Sequence, residues 1–237
     1  MTLDGRTVMI VGGTSGLGLA TARRLKDAGA VLAIVGRDAA KVADARRLLG
    51  PDVTVESVDA ADASALHAFV AGLDKIDHVI SFAGLQPAAP IGQADHAMFA
   101  SAFDARVWAA RNCCAAAIDR MPPHGSFTFC SGLSAVRPRA GRSAGAVATA
   151  VESFARAMAV ELAPIRVNAI CPGAFDTEVL RRAFGADHEA ALARIARSVP
   201  LGRVGQPDEI AHAIEFLICN TYTTGITLRV DGGALLV

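Results

Sequence analysis

The chain has 237 residues, of which 52% are hydrophobic and 19% charged, and 23 Lys and Arg residues balance 23 Asp and Glu residues. This length and composition suit one α/β domain, so we expect residues 1–237 to form a single domain. A chain without net charge has no overall field that attracts nucleic acid or anionic membranes, and neither is predicted as a partner.

The N-terminal residues and the cysteines indicate the compartment. The first apolar run, residues 8–11, is much shorter than a signal or membrane segment. The cysteine count is odd, no C-x-x-C pair occurs, and three of the residues lie in apolar runs: Cys113, Cys114, Cys130, Cys171 and Cys219. Such cysteines are typical of core positions in a reducing environment, so we expect a cytoplasmic protein.

Apolar, β-rich runs alternate with helical patterns along the chain. The predicted strands are residues 7–11, 31–35, 53–58, 77–82, 126–130, 166–171 and 227–230. The predicted helices are residues 16–28, one beginning near the N-cap Asp38, and residues 61–73, 95–121, 145–162 and 207–219. A mobile stretch is predicted after residue 173, with Asp176 capping a helix that follows Thr177. The alternation predicts βαβ crossovers, hence an α/β, Rossmann-type doubly wound sheet of about seven parallel strands with helices on both faces.

A glycine-rich turn follows the first predicted strand and opens the first predicted helix. Gly12 permits a tight turn, Gly16 lets the backbone approach a diphosphate, and Gly18 lets helix and strand pack closely. The free N–H groups and the positive dipole end of the helix would face that anion. An ordinary βα turn is the alternative, but the place in the chain favours a dinucleotide site. The predicted ligands are Gly12, Thr14, Ser15, Gly16, Leu17 and Gly18.

The end of the second predicted strand indicates which dinucleotide binds. Sites for NAD usually have a carboxylate there, whereas this chain has Gly36 followed by Arg37. A guanidinium suits a 2′-phosphate and glycine leaves room for it, so the sequence favours NADP(H). The alternative for Arg37 is a solvated loop charge.

Several further motifs, in order along the whole chain, resemble the short-chain dehydrogenase/reductase family. They are Val58-Asp59-Ala60, Ser81-Phe82-Ala83-Gly84, Arg166-Val167-Asn168, Pro172-Gly173 with Thr177, Pro200-Leu201-Gly202-Arg203 and Val230-Asp231-Gly232-Gly233. The resemblance implies that Asp59 accepts from the adenine amine beside Ala60. It also implies a homodimer or homotetramer, with the C-terminal motifs among the contacts. The other cofactor-binding residues that it implies are Ala83, Gly84, Pro172, Gly173, Ala174 and Thr177.

The family's proton-transfer pair, a tyrosine and a lysine four residues apart, is missing. The resemblance places Ala144 at the tyrosine position and Ala148 at the lysine position. The absence of the pair does not depend on the alignment, because the only tyrosine is Tyr222 and the only lysines are Lys26, Lys41 and Lys75.

Of two other catalytic positions of the family, one is altered and one is retained. Arg106 stands where the family has asparagine, and Ser131 fits the family's serine, with Gly132 and Ser134 close by if the alignment shifts. We expect Ser131 and Arg106 to act at the substrate oxygen. Arg106 can stabilise negative charge there, but it cannot relay a proton because guanidinium stays protonated.

The remaining polar residues give weaker signals. Arg137, Arg139, Arg142 and Ser143 form either a pocket for an anionic substrate or a solvated loop with interface salt bridges. Glu152 is interpreted as a surface residue. The six histidines show no metal-ligand spacing, so no metal is predicted, and each is interpreted as a helix-surface or loop residue. They are His67, His78, His96, His124, His188 and His212.

Three functions fit these observations. The first, which we expect, is an NADP(H)-dependent oxidoreductase acting on a small carbonyl or alcohol substrate with an atypical proton source. The second is a catalytically silent NADP(H)-binding protein, either a sensor or a partner subunit. The third is a non-redox enzyme, such as an isomerase or lyase, that keeps the nucleotide for structure.

Overall fold

Strands and helices alternate through residues 2–84, 89–141 and 145–237, which the computed structural model describes. The strands are β1 (Thr7–Val11), β2 (Val31–Gly36), β3 (Thr54–Ser57), β4 (His78–Ser81), β5 (Ser126–Cys130), β6 (Arg166–Pro172) and β7 (Thr227–Val230). The helices are α1 (Gly16–Asp27), α2 (Ala39–Leu49), α3 (Ala63–Ala71), α4 (His96–Phe103), α5 (Ala109–Ala117), α6 (Ala146–Glu161), α7 (Glu178–Phe184), α8 (His188–Arg197) and α9 (Pro207–Cys219).

All of these strands join one parallel sheet with the order β3-β2-β1-β4-β5-β6-β7. In the centre of the sheet, Val8 of β1 pairs with Leu32 of β2 on one side and with His78 of β4 on the other. The strand order reverses between β1 and β4, and such a reversal opens a crevice at the carboxyl ends of the two strands. The predicted Rossmann-type sheet is confirmed.

Side chains of the central strand alternate between the two faces of the sheet. Met9 and Val11 pack in a core with α3, α5 and α6, whereas Val8 and Ile10 pack in a second core with α1, α2 and α9. This is the period of two that β-structure imposes. Because helices cover both faces, the strand is apolar throughout instead of alternating with polar residues.

Helix starts show how local sequence fixes the elements around the crevice. Oδ1 of Asp38 accepts hydrogen bonds from the backbone N–H groups of Ala40 (3.0 Å) and Lys41 (3.1 Å), as predicted for an N-cap. Asp95 caps α4 in the same way by accepting from Met98 N at 2.8 Å. The start of α1 differs, because within the described residues the side chain of its N-cap Ser15 makes no capping hydrogen bond. The first N–H groups of α1 therefore stay available to a ligand.

Three parts of the chain differ from the predicted elements. The helix predicted over residues 95–121 is divided by a π-helical turn, Asp104–Trp108, between α4 and α5. The stretch predicted to be mobile contains α7 and α8. Asp176 does not cap α7, since its carboxylate instead pairs with Arg181 at 3.1 and 3.0 Å and lies 3.4 Å from His188 Nε2.

The interpretation of every histidine as a surface or loop residue is wrong for His78. This residue begins β4, is 5% exposed, and its Nδ1 lies 2.8 Å from the hydroxyl of Ser126 on β5. Burial, which penalises the charged ring, lowers the pKa of His78 to about 4. His78 is therefore a neutral core residue at pH 7.

The buried thiols lie in the core, as the sequence predicts. Cys113, Cys114, Cys130 and Cys171 are all buried, and burial raises the pKa of Cys113 and of Cys171 to about 12. They therefore stay protonated at pH 7. Across the described ranges, none of the helices has the length and apolar character needed to cross a membrane.

Candidate active site

A cavity of about 850 Å³ lies at the carboxyl ends of the central strands, at the reversal of strand order. It brings together most of the residues predicted from sequence, from the glycine-rich turn at one end to the end of β5 at the other. Those that line it are Gly12, Thr14, Ser15, Gly16, Leu17, Gly18, Arg37, Asp59, Ala60, Ala83, Gly84, Arg106, Ser131, Pro172 and Thr177.

The glycine-rich turn leaves room for an anion at the start of α1. Gly12 adopts a left-handed φ of +76°, and a Cβ on Gly18 would lie only 2.1 Å from the carbonyl oxygen of Gly12. A Cβ on Gly16 would point across the cavity, with the nearest atom at 3.7 Å on Thr177. Glycine thus lets α1 pack against β1 and leaves space beside its uncapped N–H groups. This cradle fits the diphosphate of a dinucleotide.

The end of β2 places two cations at the rim of the cavity. Arg37 is 60% exposed and its Nη1 lies 3.9 Å from Asp59 Oδ2, a distance too long for a firm ion pair. Lys41, in the first turn of α2, also lines the cavity, and its Nζ donates to Glu178 of α7 at 2.9 Å. The sequence interpretation missed Lys41, although its position four residues after Arg37 places both side chains near the start of α2.

The loop that carries Asp59, the expected adenine contact, is held by hydrogen bonds that leave the Asp59 side chain partly exposed. Asp59 Oδ1 accepts from Ala61 N at 3.0 Å, and the side chain remains 47% exposed. The buried amide of Asn112 on α5 donates to the carbonyls of Ala60 (3.0 Å) and Ala61 (3.1 Å). Asn112, which the sequence interpretation missed, therefore fixes the backbone beside the expected adenine contact.

Two predicted residues lie beside the cavity wall instead of in it. The N–H of Gly173 donates to Val230 O at 2.9 Å, and the carbonyl of Ala174 accepts from Gly205 N at 2.9 Å. A Cβ on Gly173 would lie 2.7 Å from Asp231 Cα. These backbone groups hold the segment after β6 against the C-terminal motifs, while Pro172 and Thr177 face the cavity.

Ser131 follows β5 and lines the cavity, where it forms a buried pair with Glu152 of α6. The Ser131 hydroxyl donates to Glu152 Oε1 and accepts from Gly132 N at 2.5 Å. Ser131 and Glu152 are 2% and 8% exposed. The interpretation of Glu152 as a surface residue is therefore wrong. The sequence contained the signal, since Glu152 falls at helical spacing between Ala148 and Ala155, which are both buried.

Arg106 lies in the π-helical turn and bridges the ends of two strands. Its Nη1 donates to the carbonyl of Ser131 at 2.9 Å and its Nη2 donates to the carbonyl of Gly84 at 2.5 Å. Its Nε is buried and has no hydrogen-bond partner among the described residues. Each terminal nitrogen keeps a second N–H, so Arg106 can anchor the backbone and still donate into the cavity that it lines.

Among the described residues, neither the tyrosine nor Lys26 or Lys75 takes the place of the proton-transfer pair. Ala144 lies outside the described residues, whereas Ala148 is fully buried in α6. Tyr222 is fully exposed after α9. Lys26 donates to Leu49 O, and Lys75 donates to Gly5 O at 3.0 Å.

The arginine-rich loop after β5 is only partly described. Arg137 Nη1 donates to the carbonyls of Ala234 (2.9 Å) and Val237, so this residue holds the C-terminal segment. Arg139 is exposed. Arg142 and Ser143 lie outside the described residues.

Comparison with known proteins agrees with this geometry. The family model described as enoyl-(acyl carrier protein) reductase matches residues 11–234. Short-chain dehydrogenase/reductase ucsE from Acremonium sp is 33% identical, covering 99% of this chain and 97% of its own. Cis-4-hydroxycyclohexanecarboxylate dehydrogenase from Sinomonas cyclohexanicum is 33% identical, with 96% of each chain covered. A crystal structure of a small-chain dehydrogenase in complex with NADPH is 31% identical, with a TM-score of 0.86, covering 99% of this chain and 100% of that chain. The chain belongs to the short-chain dehydrogenase/reductase family.

Proposed function

We propose that the protein is an NADP(H)-dependent oxidoreductase that interconverts a small carbonyl compound and its alcohol, using a proton source other than a tyrosine–lysine pair. The observation that carries this proposal is the single cavity that joins the glycine-rich turn and Arg37 to Ser131 and Arg106. The solved relative in complex with NADPH supports the choice of nucleotide. When bound, NADPH supplies the hydride that reduces the carbonyl carbon.

Different residues around the cavity bind different parts of the cofactor. The uncapped start of α1 holds the diphosphate, Arg37 and Lys41 hold the 2′-phosphate, and Asp59 accepts from the adenine amine. Pro172 and Thr177 lie at the nicotinamide end.

At that end, Ser131 and Arg106 act on the substrate oxygen. Hydrogen-bond donors that the fold already holds in place stabilise negative charge on an oxygen without reorganising during the reaction. The guanidinium of Arg106 is fixed by the carbonyls of Ser131 and Gly84, so it meets this condition.

Nucleotide selectivity tests the cofactor assignment. Titration calorimetry with NADPH and NADH is expected to show that Arg37→Ala and Lys41→Ala each weaken NADPH binding by about tenfold to a hundredfold, the loss of a charge-assisted hydrogen bond. NADH affinity is expected to change little, because NADH has no 2′-phosphate. Arg47→Ala serves as the matched control, because Arg47 lies on α2 but pairs with Asp44 at 3.0 Å on the exposed surface. An unchanged NADPH-to-NADH ratio in both variants would refute the 2′-phosphate site.

Turnover separates this function from the two alternatives. NADPH consumption is measured with ketones, aldehydes, quinones and enoyl compounds, each as a matched acid and ester. Reduction of at least one carbonyl compound is expected, and preference for the acid would support an anionic substrate. Tight NADPH binding without consumption would instead support one of the two alternatives, the silent binding protein or the non-redox enzyme.

We infer further that residues 1–237 form a single cytoplasmic domain that assembles as a homodimer or homotetramer. The single sheet formed by all of the described strands supports one domain. Exposed apolar side chains near the β7 edge, such as Phe216 and Ile226, support the assembly.

A further inference from the structure

The buried pair of Ser131 and Glu152 combines an exchangeable proton with access to the cavity. Of the two residues, Ser131 lines the cavity, and Glu152 reaches it through the serine hydroxyl. Glu152 lies four residues after Ala148, on the same face of α6 and in the same buried stripe as Val151 and Ala155. The carboxyl group therefore projects from α6 one turn after Ala148, where the family has its lysine.

The hydrogen bonds of Ser131 depend on the protonation state of Glu152. A serine hydroxyl has one proton to donate and two lone pairs to accept with. One lone pair accepts from Gly132 N at 2.5 Å. When Glu152 is a carboxylate, the serine proton is used in the bond to Oε1. When Glu152 is a carboxylic acid, it donates to the second lone pair, and the serine proton is free to point into the cavity.

The pair can therefore deliver a proton to the cavity only when Glu152 carries one. In the reverse direction, the carboxylate form can receive a proton that an alcohol gives to Ser131. The serine hydroxyl satisfies either form of the carboxyl group, as donor to one and acceptor from the other.

Several groups that carry or can acquire charge face the pair from the neighbouring elements. The guanidinium of Arg106 in the π-helical turn bonds to the carbonyl of Ser131. The thiol of Cys171 on β6 lies beside both Ser131 and Glu152, and it is further influenced by Cys130 and by Arg229 of β7. Burial keeps both thiols protonated and uncharged, whereas Arg106 is a permanent cation in direct contact with the backbone of Ser131.

We propose that Glu152, acting through the Ser131 hydroxyl, is the positioning residue that holds and releases the proton exchanged with the substrate oxygen, an inference that rests on the proposed carbonyl reduction. As the substrate oxygen gains negative charge, it takes the proton of Ser131, and Ser131 Oγ takes the proton from Oε1 of Glu152. New O–H bonds form on the product and on the serine, while those of the serine and the carboxylic acid break. Glu152 is left as a carboxylate and is reprotonated from water before the next turnover.

The kinetic test compares the wild type with Glu152→Gln. Glutamine keeps the size of the side chain and can donate to Ser131, but it cannot release a proton. We expect kcat/KM for reduction to fall by about 10²- to 10⁴-fold, the usual contribution of a general acid. We also expect the wild-type decline of the reduction rate with rising pH to disappear. NADPH affinity should be unchanged, since Glu152 acts behind Ser131.

Two further variants separate the proton role from a structural one. Glu152→Asp retains a carboxyl group and is expected to restore the pH dependence with an intermediate rate, even if its thermal stability falls. Glu161→Gln is the matched control, because it removes an exposed carboxylate from the same helix, and it should behave as wild type.

Infrared difference spectroscopy of the cofactor-free protein gives a readout independent of turnover. Titration with pH should show a carboxylic acid band that is absent in Glu152→Gln and shifted in Ser131→Ala, which removes its hydrogen-bond partner. The midpoint of this band should match the midpoint of the pH profile for reduction. A carboxylic acid band with the same frequency in Ser131→Ala and in the wild type would overturn the relay, that is, the transfer of a proton from Glu152 through Ser131.

The outcomes distinguish this inference from the function on which it rests. If the wild type reduces no carbonyl compound, the proposed reductase fails and the relay fails with it. If the wild type reduces a carbonyl and Glu152→Gln keeps both its rate and its pH profile, only the relay is wrong. A profile that moves with His188→Asn instead would place the proton source at the Asp176–His188 contact, which also overturns the relay.

Discussion

Burial decides the charge of His78, whose partner Ser126 lies on the neighbouring strand. The pKa of His78 falls from 6.5 to about 4, mainly because burial penalises the charged ring. Between these values the unfolded chain binds a proton that the folded chain excludes. Above about pH 6.5 the ring is neutral in both states, and burying it carries no proton-linked cost. As the pH falls from 6.5 toward 4, the free energy of unfolding decreases.

We predict that His78→Asn flattens the pH dependence of stability between pH 6.5 and 4. The pKa shift corresponds to roughly 3 kcal/mol in the free energy of unfolding, an upper estimate for one buried group. Urea unfolding measured across this range tests it, with His212→Gln as the control because His212 is exposed on α9. Equal slopes in His78→Asn and in the wild type would contradict the prediction.

Asp77 affects stability at lower pH. Burial raises its pKa, but its hydrogen bonds with Thr7 N, Arg6 and Lys75 outweigh this effect and hold the pKa below 3.8.

Single residues also show where sequence reasoning ends. The order of the motifs was enough to predict Ser131, Arg37 and Asp59 as residues of one site, and the cavity brings them together. Glu152 and His78 were misinterpreted because a polar residue in an apolar pattern does not reveal its partner. The partners, Ser131 and Ser126, lie 21 and 48 residues away in the chain.

At the scale of elements, the β1–α1 turn depends on the close packing of Gly18 against the carbonyl oxygen of Gly12. A Cβ on Gly18 would overlap the carbonyl oxygen of Gly12, and backbone atoms cannot rotate away as a side chain can. We predict that Gly18→Ala lowers the free energy of unfolding by about 1–3 kcal/mol and weakens NADPH binding, because α1 must move away from β1.

Chemical denaturation and NADPH titration test this prediction, with Gly92→Ala as the control. A Cβ on Gly92 meets no atom within 4 Å in the described structure. Its effect on stability is expected to stay within about 0.5 kcal/mol. If both variants lose the same stability, the close contact at Gly18 is not what requires glycine.

Elements were predicted well wherever local pattern decides them. The strands Thr7–Val11, Ser126–Cys130 and Thr227–Val230 and the helix Pro207–Cys219 begin and end where the sequence predicts. The π-helical turn was not predicted, because the hydrogen bonds of Arg106 that hold it reach Gly84 and Ser131, which lie 22 and 25 residues away in the chain. The helix predicted to follow Thr177 is α7, whereas α8 was not predicted, although Ala191, Leu192 and Ile195 are buried or partly buried at helical spacing.

At the scale of the whole molecule, the two edges of the sheet differ. The β3 edge carries the exposed charge of Glu56, which discourages pairing with another strand. Near the β7 edge, Phe216 and Ile226 are 45% and 39% exposed. Because β7 also carries the exposed charge of Arg229, we expect copies of the chain to meet through these apolar side chains and not by pairing of β7 strands.

We predict that sedimentation gives a mass of two or four chains and that Phe216→Glu shifts the protein toward smaller species, because a charge cannot be buried unpaired in an interface. Leu48→Glu is the matched control, since Leu48 has a similar exposure of 48% on α2, near the opposite edge. A monomeric wild type, or the same shift in both variants, would argue against assembly through the β7 edge.

The π-helical turn sets the rotational phase between the two ends of the cavity. Arg106 in the turn anchors the chain behind Ser131, and Asn112, six residues later, anchors the loop at Ala60. A π turn closes a wider ring than an α-helix and so accommodates one extra residue. Adding or removing a residue of α5 between the turn and Asn112 would swing Asn112 by about 100° around the helix axis relative to Arg106. Either Arg106 or Asn112 would then lose its hydrogen bonds to backbone carbonyls. We therefore expect this helix to tolerate insertions and deletions much less than a surface loop does.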